Sequence, residues 1–151
     1  MCQTKDSKPT FKQLEKAKLG DHFDWQALKN QVKFDQDGLI PAIAQQFDTK
    51  EVLMIAWMNM QSLEETLETG RVCYWSRSRQ NYWRKGELSG QIQLLKSLAF
   101  DCDGDTILLS VDQTGPACHS GRRSCFYSTV KGSEVEVTSN PLIDPNELYK
   151  Q

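Results

Sequence analysis

Between β-prone flanks the chain reads Asp101-Cys102-Asp103-Gly104-Asp105, three carboxylates within five residues. Such groups repel one another, so the segment is either solvated or neutralised by a cation. In an extended strand residues 101, 103 and 105 share one face and Cys102 turns to the other; a tight turn at Asp103-Gly104 would break that alternation. Hard Mg²⁺ takes oxygen donors and soft thiolates favour zinc, so one short segment could serve two metals. A calcium EF-hand is excluded, because its sixth position would be Thr106 rather than Gly and its twelfth Asp112 rather than Glu. The second constellation, Cys118-His119-Ser120-Gly121-Arg122-Arg123-Ser124-Cys125, sets two cysteines seven residues apart around a glycine. That spacing is looser than the Cys-x₂₋₄-Cys of a structural finger. With Cys102 the sulfurs number three; a fourth position is either filled by His119 or left to water, the catalytic arrangement. Three thiolates leave zinc a weaker Lewis acid than three imidazoles do, so a water there needs a nearby base. His119, one of only two histidines, reads as base or as ligand, with a plain structural role as the alternative.

The third constellation runs from Arg71 to Lys85. It holds Arg71, Arg77, Arg79, Arg84 and Lys85 with no acidic residue among them, interleaved with Tyr74, Trp75, Tyr82 and Trp83. Arg77 and Arg79 would share a strand face and grip phosphate as planar forks, while an aromatic beside them stacks on a base. Gly86 and Gly90 permit close backbone approach to a ligand. A small phosphorylated nucleotide fits this short patch; a solvated basic face over core aromatics is the alternative.

These residues need a scaffold. Ile40 to Phe47 reads as a strand pairing with Phe34-Asp35 across Asp37-Gly38, and Val52 to Trp57 as a buried strand. Asn59 caps a helix over Met60 to Thr69, with Met60, Leu63 and Leu67 on one face and Gly70 as the stop. Val72 to Ser76 is a further strand, Gln91 to Asp101 and Thr106 to Val111 form a hairpin around Asp103-Gly104, and Arg122 to Tyr127 adds a strand or a turn entering one. Cys73 reads as a small buried hydrophobe and Cys2 as part of a polar tail. Short connections favour an antiparallel sheet with one main helix, an α+β fold. Residues 1–33 are Lys-rich and read as a partly helical extension docked weakly at best.

At 151 residues one domain is expected. The net charge of −2 excludes a generally basic nucleic-acid coat. The longest apolar run, Val52 to Met58, is seven residues, against the ~20 that span a bilayer, so no membrane partner is expected. The first nine residues show no apolar h-region and the five cysteines are an odd number, which together suggest a reducing, cytoplasmic setting without a disulfide framework.

Taken together the sequence resembles the phosphoribosyl-AMP cyclohydrolase family of histidine biosynthesis from Phe34 to Phe126. The resemblance rests on Asp37-Gly38-Leu39-Ile40-Pro41-Ala42-Ile43, Met54-Ile55-Ala56-Trp57-Met58-Asn59, Tyr74-Trp75-Ser76-Arg77-Ser78-Arg79, Trp83-Arg84-Lys85-Gly86-Glu87, Asp101 to Asp105, and Cys118 to Phe126. It implies a compact, mainly antiparallel pseudo-barrel and an intertwined homodimer with shared active sites. It divides the chain into an N-terminal extension (1–33), a cyclohydrolase domain (34–130) and a C-terminal tail (131–151). It further implies zinc at Cys102, Cys118 and Cys125, contributed across the dimer, magnesium at Asp101, Asp103 and Asp105, and a hydrolase acting on the cyclic amidine of the adenine ring. The substrate implied is 1-(5-phosphoribosyl)-AMP, whose N1–C6 bond a zinc-bound water would open, with His119 the candidate for proton transfer. Arg77, Arg79 and Lys85 are the candidate phosphate contacts and Trp83 the stacking surface. A zinc-dependent base deaminase is excluded, because it needs His-x-Glu and His22 and His119 are followed two places on by Asp24 and Gly121. A zinc-stabilised nucleotide- or RNA-binding module without turnover is the alternative outside enzymes. Two departures stand out: Leu88 occupies a position where the family usually has a hydroxyl, and Tyr82 replaces a usual aliphatic residue.

Overall fold

The computed structural model describes residues 9–148; Cys2 lies outside them. In chain order the elements are α1 (Phe11–Leu14), α2 (Trp25–Leu28), a 3-10 turn (Lys29–Gln31), β1 (Ile40–Gln46), β2 (Val52–Met58), α3 (Met60–Thr69), β3 (Cys73–Ser76), β4 (Asn81–Arg84), β5 (Gln93–Phe100), β6 (Ile107–Gln113), β7 (Ser128–Lys131), β8 (Glu134–Val137) and α4 (Pro145–Leu148). Six strands make one sheet in the order β4-β3-β2-β1-β6-β5, and β7 and β8 pair separately.

Alternation builds the centre of the sheet. In β1, Ile40, Ala42, Ala44 and Gln46 are buried while the residues between them are partly exposed, and β6 buries Ile107, Leu109, Val111 and Gln113. These two strands pair in parallel, Ala42 beside Ile107 through Gln46 beside Val111. The other neighbours in the sheet are antiparallel. The parallel pair departs from a sheet joined only by short turns: the β5–β6 hairpin returns to the edge of β1 left open when β2 takes the other. The sheet also curls on itself. Arg71, just before β3, bridges Leu94 of β5; the Val72 amide donates to Gln93 O at 3.1 Å and Leu95 N to Gly70 O at 2.8 Å. The result is a half-barrel wrapped around the core.

Helix α3 begins at Asn59, whose side chain accepts from Ser62 N, and ends at a left-handed Gly70. Its buried face is Ser62, Leu63 and Thr66, whereas Leu67 is 39% exposed. The stripe is therefore turned from the Met60-Leu63-Leu67 face expected. Thr66 explains the turn: its hydroxyl oxygen accepts from Cys73 N at 2.9 Å and its proton goes to Ser62 O at 2.8 Å, locking the helix to the first residue of β3. Cys73 itself is fully buried, and burial pushes its thiol up to about 12.

Phe34-Asp35 does not form a strand. The Asp35 carboxylate instead accepts from Asp37 N and Leu39 N, a side-chain-closed turn that competes with strand pairing. Of the strand or entering turn expected at Arg122 to Tyr127 the structure takes the second, since those residues lead into β7 at Ser128, whereas β4, β8 and α4 are elements that their short sequences did not announce. The N-terminal segment is not weakly docked: Phe11, Leu28 and Val32 belong to the main core cluster, and Leu14, Trp25 and Phe34 pack against it. At the other end Leu148 is buried, and Leu142 N and Ile143 N both donate to Gly121 O. Among the described residues no helix is long and apolar enough to cross a membrane.

Candidate active site

The acidic segment is the tip of the β5–β6 hairpin. Asp101 N donates to Thr106 O, Gly104 N to Asp101 O, and Asp105 N to Asp101 Oδ1, each at 3.0 Å. The turn breaks the strand alternation, yet it brings the carboxylates together. Asp101, Asp103 and Asp105 are exposed, and each offers an oxygen within 4.8 Å of the others. Their proximity separates their acidities. Asp105 is raised, first by its contact with the Asp101 carboxyl and further by the Asp101 and Asp103 charges. For Asp101 burial pushes upward, but hydrogen bonds from Asp105, Thr106 and Gly104 outweigh it and hold the group below the ordinary range. An oxygen-rich cluster whose carboxylates crowd and repel one another has the donor chemistry of a hard divalent cation site.

The segment around Cys118 is a tight antiparallel turn. Ala117 N donates to Arg123 O, Cys118 N to Arg122 O and Gly121 N to Cys118 O. Its return limb is tied to β2 by Cys125 N to Leu53 O at 2.7 Å and Ser124 Oγ to Val52 O at 2.8 Å. Arg123 clamps the base: Nη1 donates to Gln113 O and Gly115 O at 2.8 and 2.6 Å, and Nη2 to Gln46 Oε1 at 2.9 Å. Cys118 and Cys125 thereby become neighbours, and their environments differ. Burial raises Cys118, but the Ser120 hydroxyl at 3.1 Å, the Ser120 amide at 3.5 Å, Cys125 and the Arg122 charge together bring it below its ordinary value. Burial pushes Cys125 up to about 12, and the Cys118 charge acts in the same direction. The surroundings thus favour the thiolate at Cys118 and oppose it at Cys125.

Cys102 is not part of this pair. It sits on the acidic turn and lines a separate cavity with Phe11, Leu14, Leu28 and Phe100. The seven residues of β6, ~20 Å of strand, run between its turn and the segment leading to Cys118. Among the described residues the aspartate trio is the only set of three such side chains whose ligand atoms converge.

A cleft of about 550 Å³ opens beside Cys125, and Arg79, Trp83, Lys85, Gly86 and His119 also line it. Lys85 is 5% exposed, 5.6 Å from the centre of the Trp83 ring. Burial draws its ammonium below the usual range, partly offset by the Cys125 and Cys118 charges. Gly86, at φ +83°, leaves no room for a side chain, since a Cβ there would lie 2.5 Å from Ile92 N. Arg77 is placed elsewhere, 4.4 Å over the Trp57 ring, outside the cleft lining. Tyr74 is fully buried, its hydroxyl donating to Gln93 at 2.7 Å, so it presents no face to a ligand. Arg84 turns outward to a two-pronged contact with Glu65 at 2.7 and 2.9 Å, joining β4 to α3. Tyr82 donates to Gln61 Oε1 at 2.8 Å on the same helix, so its hydroxyl adds a strand–helix tie. Leu88 stands at the rim, 75% exposed. Tyr82, Arg84, Glu87, Ser89, Met54, Ile55 and Ala117 also line the cleft; Met54 and Ile55 open one of the stretches that carry the resemblance, but only the curl of the sheet brings them to this wall. A larger groove, about 700 Å³ between Trp25, α3 and Phe100, is lined by Glu64 and Glu68 but by no sulfur and no cationic side chain.

A family model described as phosphoribosyl-AMP cyclohydrolase matches residues 54–127. A protein of Hydrogenovibrio crunogenus named phosphoribosyl-AMP cyclohydrolase is 72% identical over 142 residues, covering 94% of this chain and 97% of the relative. Proteins of the same name from Halorhodospira halophila and Alkalilimnicola ehrlichii are 62% and 61% identical over 139 residues, each alignment covering 92% of this chain and 98% of the relative.

Proposed function

The chain belongs to the phosphoribosyl-AMP cyclohydrolase family, and from that premise we propose that it hydrolyses the N1–C6 bond of 1-(5-phosphoribosyl)-AMP, the third step of histidine biosynthesis, in the cytoplasm. The reaction class is hydrolysis of a C–N bond in a cyclic amidine. The observation that carries the reading is the meeting of His119, Cys125, Lys85, Arg79 and Trp83 in one cleft, a combination of base, sulfur, cations and stacking surface that a phosphorylated purine requires.

The donor sets fit the two metals this activity implies. Cys118, held low by Ser120, and Cys125 beside it are soft ligands suited to zinc, and the three converging carboxylates suit Mg²⁺. The third sulfur, Cys102, sits on the other turn, so we read the working unit as a homodimer in which a second copy supplies Cys102 to each zinc site. When bound, zinc supplies a Lewis acid that makes water nucleophilic near neutrality, and magnesium supplies charge that orients the phosphorylated substrate.

The chain's own groups do the rest. Trp83 stacks on the adenine, while Arg79 and Lys85 hold phosphate; Arg77 would have to leave the Trp57 face to join them. His119 takes a proton from the attacking water and delivers one to N1 as the C6–N1 bond breaks. The water oxygen stays on C6, which becomes a carboxamide carbon. The test is ultraviolet absorbance of the full chain with phosphoribosyl-AMP, Zn²⁺ and Mg²⁺. Ring opening changes the purine spectrum; an unchanged spectrum with both metals saturating and substrate bound would leave a binding module and discard the enzyme.

A further inference from the structure

The residues before Phe34 precede the motifs that carry the family resemblance and the span of the family model, though the alignments to the relatives extend into them, and they reach the acidic turn. Phe11 is 7% exposed and its ring sits against Gly104, where an added Cβ would overlap the ring carbons. Gly104 is buried beneath an otherwise exposed turn and adopts φ +73°, so both its conformation and its neighbour demand glycine. From the other end of the segment, Lys33 N donates to Gly104 O at 2.8 Å. Phe11 is itself fixed. Thr10 and Gln13 form a reciprocal cap around it, and its ring meets Phe100 edge-on at 5.5 Å, while Trp25 stacks on the same Phe100 at 5.6 Å. Phe100 immediately precedes Asp101.

We propose that the N-terminal segment, through Phe11 and the Lys33 amide, is the positioning device for the acidic turn and sets how tightly the turn holds a divalent cation. This rests on the reading of Asp101, Asp103 and Asp105 as a cation site. Three carboxylates drawn within 4.8 Å push one another apart, and an ion binds them best when the convergence is already made. Hydrogen bonds within the turn resist opening from above; the Phe11 ring and the Lys33 amide resist it from below. A cavity of about 260 Å³ lined by Phe11, Leu14, Leu28, Phe100, Asp101 and Cys102 lies beside the ring, so truncating Phe11 gives the turn space into which to relax. Supporting groups behind metal ligands are typically worth about 10–100-fold in affinity.

The experiment is a Mn²⁺ titration of the full chain followed by electron paramagnetic resonance of the free ion, far below the melting temperature. The unsubstituted protein binds, Asp103→Asn abolishes that binding, and Phe11→Ala weakens it about tenfold, with Phe11→Leu intermediate. Val111→Ala, a core truncation away from the turn, lowers the melting temperature and leaves Mn²⁺ affinity in place. If Phe11→Ala does not fold, Phe11→Leu decides: a severalfold loss supports the proposal and an unchanged dissociation constant overturns it. Equal affinity of Phe11→Ala and the unsubstituted chain, with only the melting temperature lowered, reduces Phe11 to core packing and overturns the proposal alone. Absence of Mn²⁺ binding by the unsubstituted chain takes down the cation reading as well.

Discussion

Cys118 and Cys125 are the same side chain seven residues apart, yet their surroundings pull their acidities in opposite directions. Residue type specifies what a group can do; its neighbours decide when. His119 adjoins one of these sulfurs in sequence and shares the cleft with the other and with Lys85. Its assignment to proton transfer has a kinetic signature. His119→Ala is expected to lower kcat by about 10²–10⁴-fold, the range for loss of a general acid–base group, with KM nearly unchanged. Steady-state kinetics on the metal-saturated variant checks this; an unchanged kcat assigns the proton to another group, and a raised KM with kcat intact makes His119 a substrate contact.

At the level of elements, the cleft depends on ties between strands and the one long helix. Thr66 receives the first amide of β3, Glu65 holds Arg84 of β4, and Gln61 accepts from Tyr82, so α3 sets the tilt of the β3–β4 hairpin that carries Trp83 and Lys85. Thr66→Val keeps the side chain's shape while leaving the buried Cys73 N–H without an acceptor. It is expected to cost about 1–3 kcal/mol, the penalty for an unpaired buried polar group. Urea unfolding should show a lower midpoint with an unchanged slope; a wild-type midpoint would mean that the amide has found another partner. The N-terminal segment holds the other turn in the same way, with aromatic packing in place of side-chain hydrogen bonds.

Across the whole molecule, the three candidate zinc-ligating cysteines, Cys102, Cys118 and Cys125, divide between two turns joined through β6. A single copy does not bring Cys102 to Cys118 and Cys125, which is the physical argument for the proposed homodimer. Phe126, Val130, Val135, Val137 and Leu142 are each more than half exposed, and an isolated two-stranded hairpin such as β7–β8 is marginal in water. This is the surface that a dimer has to account for. Mixing Cys102→Ala with Cys118→Ala chains tests the arrangement. Each heterodimer would hold one intact site, so random exchange should restore roughly a quarter of the wild-type sites. No recovery after exchange is confirmed by mass would refute sharing.

The chemistry was legible in the sequence because it is local. An Asp-x-Asp-x-Asp run, two cysteines around a glycine, and an Asn-to-Gly frame around a ten-residue helix each carry their meaning within a few residues. The alternation of Asp101, Asp103 and Asp105 along five residues, and the periodicity and turn residues of β1, β2, α3 and the β5–β6 hairpin, are readable without partners from elsewhere in the chain. The rest depended on partners far along the chain. The parallel pairing of β1 with β6 follows from which edge stays open after β2 has paired. The rotation of α3 follows from the Thr66 hydroxyl meeting the Cys73 amide after the chain has reversed at Gly70, and the seating of Phe11 on Gly104 joins residues 93 positions apart. Periodicity and turn chemistry are set by neighbours in sequence, whereas burial is set by whichever surfaces the folded chain leaves unpaired, and that choice belongs to tertiary structure alone.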